Sequence, residues 1–113
     1  MKIKVKTVVD LLDLEVVIGA SLEREIKGGY VGDLLSNVMA KAREDDIWVT
    51  IQGHQNVVAV ALLIDMAGVI IAEDFEIEDK TIHRAEEKGV NLLRSPDPAY
   101  EIVGELYENG ITS

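Results

Sequence analysis

The stretch Ile47 to Ala72, IWVTIQGHQNVVAVALLIDMAGVIIA, decides the fold. It opens on IWVTI, residues 47–51, whose β-branched and aromatic side chains suit a strand. It closes on GVIIA, residues 68–72, an unbroken apolar run that predicts a strand covered on both faces. Between them, residues 56–66 read as a helix. A strand, a short turn, a helix and a second strand form a crossover unit, which calls for a right-handed connection and parallel strands.

The helix in this unit is unusual. Val57, Val58, Ala59, Val60, Ala61, Leu62, Leu63 and Ile64 leave it no polar face. A helix that is apolar all round must be covered all round. One sheet covers about half of it, so neighbouring helices or a second chain must cover the rest.

Working outward, the alternation continues. Asp79 to Lys88 predicts a helix with a thin apolar face of Ile82 and Ala85, closed by Gly89 in the left-handed position after its end. Val90 to Leu93 predicts a further strand. Ser95 and Asp97 each precede a proline, and either can cap a last helix that stops at Gly110. Its expected buried face is Tyr100, Val103, Leu106 and Tyr107. Upstream, Asp33 to Arg43 predicts a helix with Leu34, Leu35, Val38, Met39 and Ala42 along one stripe. Glu15 to Ile18 predicts a strand, Val8 to Leu12 a short helix capped by Thr7, and residues 23–27 a short extended segment running into Gly28-Gly29. The fold class expected is α/β: a single compact domain, residues 1–113, with a mainly parallel sheet flanked by helices.

The composition fits such a core and narrows the partners. The chain is 48% hydrophobic, which excludes global disorder. Twenty-one acidic residues against eleven basic ones give a net charge of -10. That field repels phosphate backbones and anionic lipid, so neither nucleic acid nor a membrane surface is an expected partner. There are no cysteines, which removes disulfides, thiol catalysis and cysteine-held metals. The basic start is followed by Asp10, Asp13 and Glu15, unlike a signal peptide. The longest apolar run, residues 57–72, is too short for a bilayer span and contains Asp65. The expected location is the cytoplasm.

In an open parallel sheet, ligands sit beyond the carboxyl ends of the strands. Those ends carry Thr50 with Gln52, Gly53, His54 and Asn56, then Glu73, then Ser95. These seven residues are the expected ligand-binding set, one shallow site along one sheet edge. His54 in this reading either meets a ligand or caps backbone groups at the helix start. GGYVG, residues 28–32, fits neither GxGxxG nor GxxxxGK[ST] and reads as a tight turn needing positive φ. His83 reads as a solvated surface residue. Two distant histidines, no HExxH and no EF-hand loop make a metal site unexpected. Glu44-Asp45-Asp46 and residues 73–79 read as solvated acidic loops. No residue reads as an activated nucleophile, so no catalytic residue and no cofactor are expected.

At these same residues the chain resembles the DRTGG domain family. The resemblance rests on GGYVGDLLS (28–36), WVTIQGHQNVVAVA (48–61), GVIIAE (68–73) and EKGVNLLRSPDPAYEIVGELYENGI (87–111), in that order. It implies a small α/β domain similar to the amino-terminal domain of HPr kinase and to a central domain of some phosphotransacetylases. It also implies a regulatory setting, since family members are often fused to CBS domains in nucleotide-responsive proteins. It implies no kinase activity, because the kinase's phosphate loop belongs to a different domain. The motif that names the family places Asp-Arg after the middle strand and Thr-Gly-Gly after the next. The matching positions are His54-Gln55 and Ala72-Glu73-Asp74, and none of the five family residues is kept.

The function expected is therefore a non-catalytic regulatory or protein-interaction domain acting as a homodimer. The alternative is a sensor of a small ligand, an adenine nucleotide among the candidates. An enzyme with a cryptic site stands third, since fold alone supplies no activity.

Overall fold

The structure, a computed structural model, describes residues 2–112. Its elements run β1 (Ile3–Lys4), α1 (Val5–Leu12), β2 (Glu15–Ile18), β3 (Glu25–Ile26), β4 (Gly28–Val31), α2 (Leu35–Lys41), β5 (Asp46–Thr50), α3 (Asn56–Ile64), β6 (Gly68–Ile71), α4 (Asp79–Lys88), β7 (Leu92–Arg94) and α5 (Ala99–Glu108). Five strands form one sheet in the order β2-β7-β6-β5-β4, and β1 pairs with β3 in a small antiparallel ribbon. β4, β5, β6 and β7 are parallel, and β2 closes the β7 edge antiparallel, with a bulge between Val16 and Ile18. The fold is the expected mainly parallel α/β sheet flanked by helices.

Side chains alternate across this sheet, as a period of two requires. Trp48, Val69, Ile71 and Leu92 pack with Val38 of α2, Val57, Val58, Val60 and Ala61 of α3, and Ala85 of α4. Ile47, Val49, Ile70 and Leu93 pack with Val5, Val8 and Leu12 of α1 and with Ile102 and Leu106 of α5. The three crossover helices thus share one face, because sequential parallel strands joined by right-handed crossovers put each helix on the same side. The strand order never reverses among β4 to β7, so these strands have no switch point, the usual origin of a binding crevice in such sheets.

Several sequence expectations shift. α1 begins at Val5, three residues before the expected start; Thr7 lies inside it, where its hydroxyl accepts a hydrogen bond from the Lys4 amide at 3.3 Å. GGYVG is a strand, not a tight turn. Gly28 and Gly29 pair in register with Asp46 and Ile47 of β5, and a Cβ on Gly29 would meet the Ile111 side chain at ordinary van der Waals distance. The glycines with positive φ are Gly89, which closes α4 as expected, and Gly110. α2 is shorter than the expected 33–43 helix, and of its stripe only Val38 is fully buried. On α5 the buried stripe is Ile102 and Leu106 with Ala99 and Val103 alongside, the i, i+3, i+4, i+7 set; Tyr100 is 90% exposed. Neither Ser95 nor Asp97 caps α5, whose first turn follows Pro98.

The amino edge of the sheet is tied by polar clamps. Arg24 Nη2 lies 2.8 Å from Asp45 Oδ1, and its Nη1 lies 3.0 Å from Asp65 Oδ1. Both aspartates have left-handed backbones, at φ 66° and 64°. Buried Asn91 donates to the carbonyls of Ser21 and Ala67 and accepts from the Ser21 amide.

Candidate functional site

The carboxyl ends of β4, β5, β6 and β7 lie side by side, so the loops that follow them share one edge. This places Thr50, Gln52, Gly53, His54 and Asn56 after β5, Glu73 after β6 and Ser95 after β7 along that edge, in the order the sheet dictates. Hydrogen bonds knit the loops together. Asp33, beyond β4, turns its carboxylate to β5, where Oδ1 accepts from the Thr50 hydroxyl at 2.7 Å and the Ile51 amide at 2.9 Å. The Gln52 side-chain amide donates to the Asp33 carbonyl. The Ala72 amide donates to the Thr50 carbonyl at 2.8 Å, joining the β5 and β6 ends. The Glu73 and Asp74 amides donate to the Asp97 and Ser95 carbonyls, each at 3.0 Å, joining the β6 and β7 ends.

The turn from Gln52 to Asn56 is satisfied from within. His54 Nδ1 accepts from the Asn56 amide at 3.1 Å, and its carbonyl accepts from the Val57 amide at 3.0 Å. The Gln55 carbonyl takes the Val58 and Ala59 amides. The first amides of α3, the groups with which a helix start holds an anion, are therefore occupied. His54 itself is exposed. Gly53 is a glycine for a steric reason. A Cβ there would fall 1.9 Å from the carbonyl oxygen of Glu76, in the loop that leaves β6. The backbone approaching it belongs to the chain itself.

That loop, residues 72–78, lies across the edge. Its Glu78 amide donates to the Gly53 carbonyl at 3.1 Å, and the buried Thr81 hydroxyl donates to the same oxygen at 2.6 Å. Glu73 and Asp74 are both left-handed, at φ 59° and 58°. A glycine takes that conformation without a Cβ penalty, and both residues here carry a Cβ. Arg94, the last residue of β7, holds the loop: its Nη2 donates to the Asp74 carbonyl at 2.9 Å, and its Nε to the Phe75 carbonyl at 3.2 Å. The Asp74 carboxylate stands 3.3 Å from Nη2. The Glu73 carboxylate accepts from the Ala99 amide at 3.2 Å, at the start of α5. The Ser95 hydroxyl accepts from the Asp97 amide at 3.1 Å and is buried.

Three residues of this constellation lie outside the seven expected from the sequence. Asp33 reads as a helix start, whereas its carboxylate gains two donors by turning toward β5. Arg94 ends a strand and carried a positional signal. Thr81 carried none, since a threonine in an acidic helix start looks solvated. Among the described residues, no buried side-chain nitrogen or oxygen lacks a hydrogen-bond partner. Nor does any group of three or more His, Cys, Asp or Glu side chains among them converge as metal ligands would. Asp33, Glu73, Asp74, Glu76, Glu78 and Asp97 give the edge an acidic character, against which Arg94 is a paired cation.

The DRTGG domain family model matches residues 7–108. No curated protein matches the chain. Among solved structures, the chain is similar to the crystal structure of the CBS and DRTGG domains of the regulatory region of Clostridium perfringens pyrophosphatase, complexed with the activator diadenosine tetraphosphate. The TM-score is 0.75 at 12% identity, over 94% of this chain and 48% of that one. The chain thus spans about half the length of that structure, and at such identity the likeness speaks for the fold.

Proposed function

We propose that this chain, which belongs to the DRTGG domain family, is one non-catalytic regulatory domain over residues 1–113 that acts in the cytoplasm as a homodimer. The observation that carries the reading is on α3. The sheet, α2 and α4 bury Val57, Val58, Val60 and Ala61, yet Leu63 stays 73% exposed and Leu62 47% exposed. With Ala59, these two leucines are what remains exposed of the all-apolar helix. A twofold contact buries the same pair on both copies. Each leucine so covered offers on the order of 1–2 kcal/mol. Arg84 and Lys88 of α4 line the groove beside Leu62 and Leu63. The absence of catalysis is supported by the polar edge, whose groups spend their hydrogen-bonding capacity on one another.

A second reading is favoured by the pyrophosphatase regulatory region, which was crystallised with an adenine dinucleotide. In this reading Thr50, Gln52, Gly53, His54, Asn56, Glu73 and Ser95 bind a small adenine nucleotide. The acidic edge and the occupied amides of α3 weigh against a polyphosphate there. Two measurements separate the readings: sedimentation at micromolar concentration, and a thermal-shift series with AMP, ADP, ATP and diadenosine tetraphosphate. A dimer whose melting temperature is unmoved by nucleotide supports the first. A saturable upward shift supports the second.

A further inference from the structure

We propose that residues 72–78 form a strap closed under backbone strain over the carboxyl edge of the sheet, with Arg94 as its latch. The strain is specific. Glu73 and Asp74 are consecutive residues with Cβ atoms in the left-handed region, the conformation that crowds Cβ against the following carbonyl. Such residues persist where their surroundings over-determine them. Here the surroundings are main-chain hydrogen bonds and two side chains: the Ala72 amide donates to the Thr50 carbonyl, the Phe75 amide to the Ala72 carbonyl within the turn, and the Glu73 carboxylate accepts from the Ala99 amide. The Glu73 amide is held by the Asp97 carbonyl, the Asp74 amide by the Ser95 carbonyl, and the Glu78 amide by the Gly53 carbonyl. The guanidinium of Arg94 meets the strap at the Asp74 carbonyl, the Phe75 carbonyl and the Asp74 carboxylate. Apolar anchoring is confined to the two ends: Ala72 is buried in the core and Ile77 packs against it partly buried, while Phe75 between them is exposed.

Closure and strain oppose each other, so the strap has two states. Closed, it covers Gly53 and leaves the edge satisfied from within. Open, it frees the carbonyls of Ser95 and Asp97 and the Arg94 guanidinium, leaves the Gly53 carbonyl with the Thr81 hydroxyl alone, and relaxes Glu73 and Asp74. The open state is the one that presents unpaired polar groups, so it is the state in which this edge engages anything outside the chain. Arg94 is suited to the latch because its planar fork reaches two carbonyls and a carboxylate at once, which a lysine ammonium cannot reproduce.

Amide hydrogen exchange on the full chain tests this, since local opening and global unfolding separate by residue. The reporters are the amides of Glu73, Asp74 and Glu78, against those of Val49 and Ile70 in the central strands. Arg94→Lys is expected to speed exchange at the three strap amides by about tenfold or more, with Val49 and Ile70 unchanged. Adding Glu73→Gly to that variant, which removes one strained Cβ, is expected to slow the strap amides again. Unchanged strap exchange in Arg94→Lys overturns the proposal. So does acceleration shared equally by Val49 and Ile70, and so does a Glu73→Gly addition that restores no protection.

Discussion

The carbonyl oxygen of Gly53 accepts a 2.6 Å hydrogen bond from the buried hydroxyl of Thr81, tying the turn after β5 to the first turn of α4. The contact exists because Gly53 has no Cβ. With one, the Glu76 carbonyl at 1.9 Å would have to move and the strap with it. Gly53→Ala is expected to destabilise the fold by about 2–4 kcal/mol, the range of a backbone clash that packing cannot absorb. Urea denaturation measures it; a change within about 0.5 kcal/mol, typical of a tolerant surface site, would contradict the packing described.

Thr81→Val keeps the shape of the side chain and removes the hydroxyl. The Gly53 carbonyl retains the Glu78 amide, so it is not orphaned. The expected cost is about 1 kcal/mol, the worth of one internal hydrogen bond. The same denaturation series reads it, and a loss as large as that of Gly53→Ala would mean that the Thr81 hydroxyl holds more than this one contact.

Asp46 is buried at the start of β5, and burial pushes its carboxyl above the usual carboxylate range, against the opposing pull of the Arg43 amide on Oδ2. A carboxyl whose pKa is higher folded than unfolded binds its proton more tightly in the folded state. Its contribution is complete below the unfolded value of about 4 and is lost as pH rises through the folded value. Asp46→Asn keeps an acceptor for the Arg43 amide and carries no charge. It is expected to raise the urea midpoint at pH 7 and to leave it unchanged at pH 3. A gain of equal size at both pH values would show that the charge is not the cause.

Asp13 follows α1 with φ 51°, and its exposed side chain is free to be removed. Asp13→Gly relieves the left-handed cost and is expected to stabilise by about 0.5–1 kcal/mol, net of the greater entropy of glycine when unfolded. Thermal melting checks the sign: a fall in melting temperature would mean that glycine's entropy outweighs the strain at this cap.

Legibility in the sequence followed burial. β5, α3, β6 and α4 were readable close to their bounds because elements covered on both sides keep unbroken apolar runs or clear caps. β4 reads as a turn because Gly28 and Gly29 resemble one, when neither has a positive φ and both pair in register with β5. The stripe of α5 was set on Tyr100 and Tyr107, whose rings are amphipathic enough to stay in water, while Ile102 does the packing. The candidate edge was readable in outline, since topology alone gathers the strand ends. Its closure was not. That Asp33 turns back to Thr50, that Thr81 reaches Gly53 and that Arg94 grips the 72–78 loop are contacts between distant segments with no periodicity to announce them. Of the cover that the all-apolar α3 requires, α2, α4 and the sheet supply most, and Ala59, Leu62 and Leu63 remain exposed.

Leu62 and Leu63 are proposed to join two copies of the chain. Sedimentation equilibrium on the native chain and on Leu63→Asp, from about 1 to 100 micromolar in about 0.15 M salt, where screening limits the repulsion of the net charge, tests it most directly. Twice the 12.4 kDa chain mass is expected for the native protein and 12.4 kDa for Leu63→Asp, which still melts cooperatively. A native protein that sediments at 12.4 kDa across the whole range, or a Leu63→Asp dimer as tight as the native one, contradicts it.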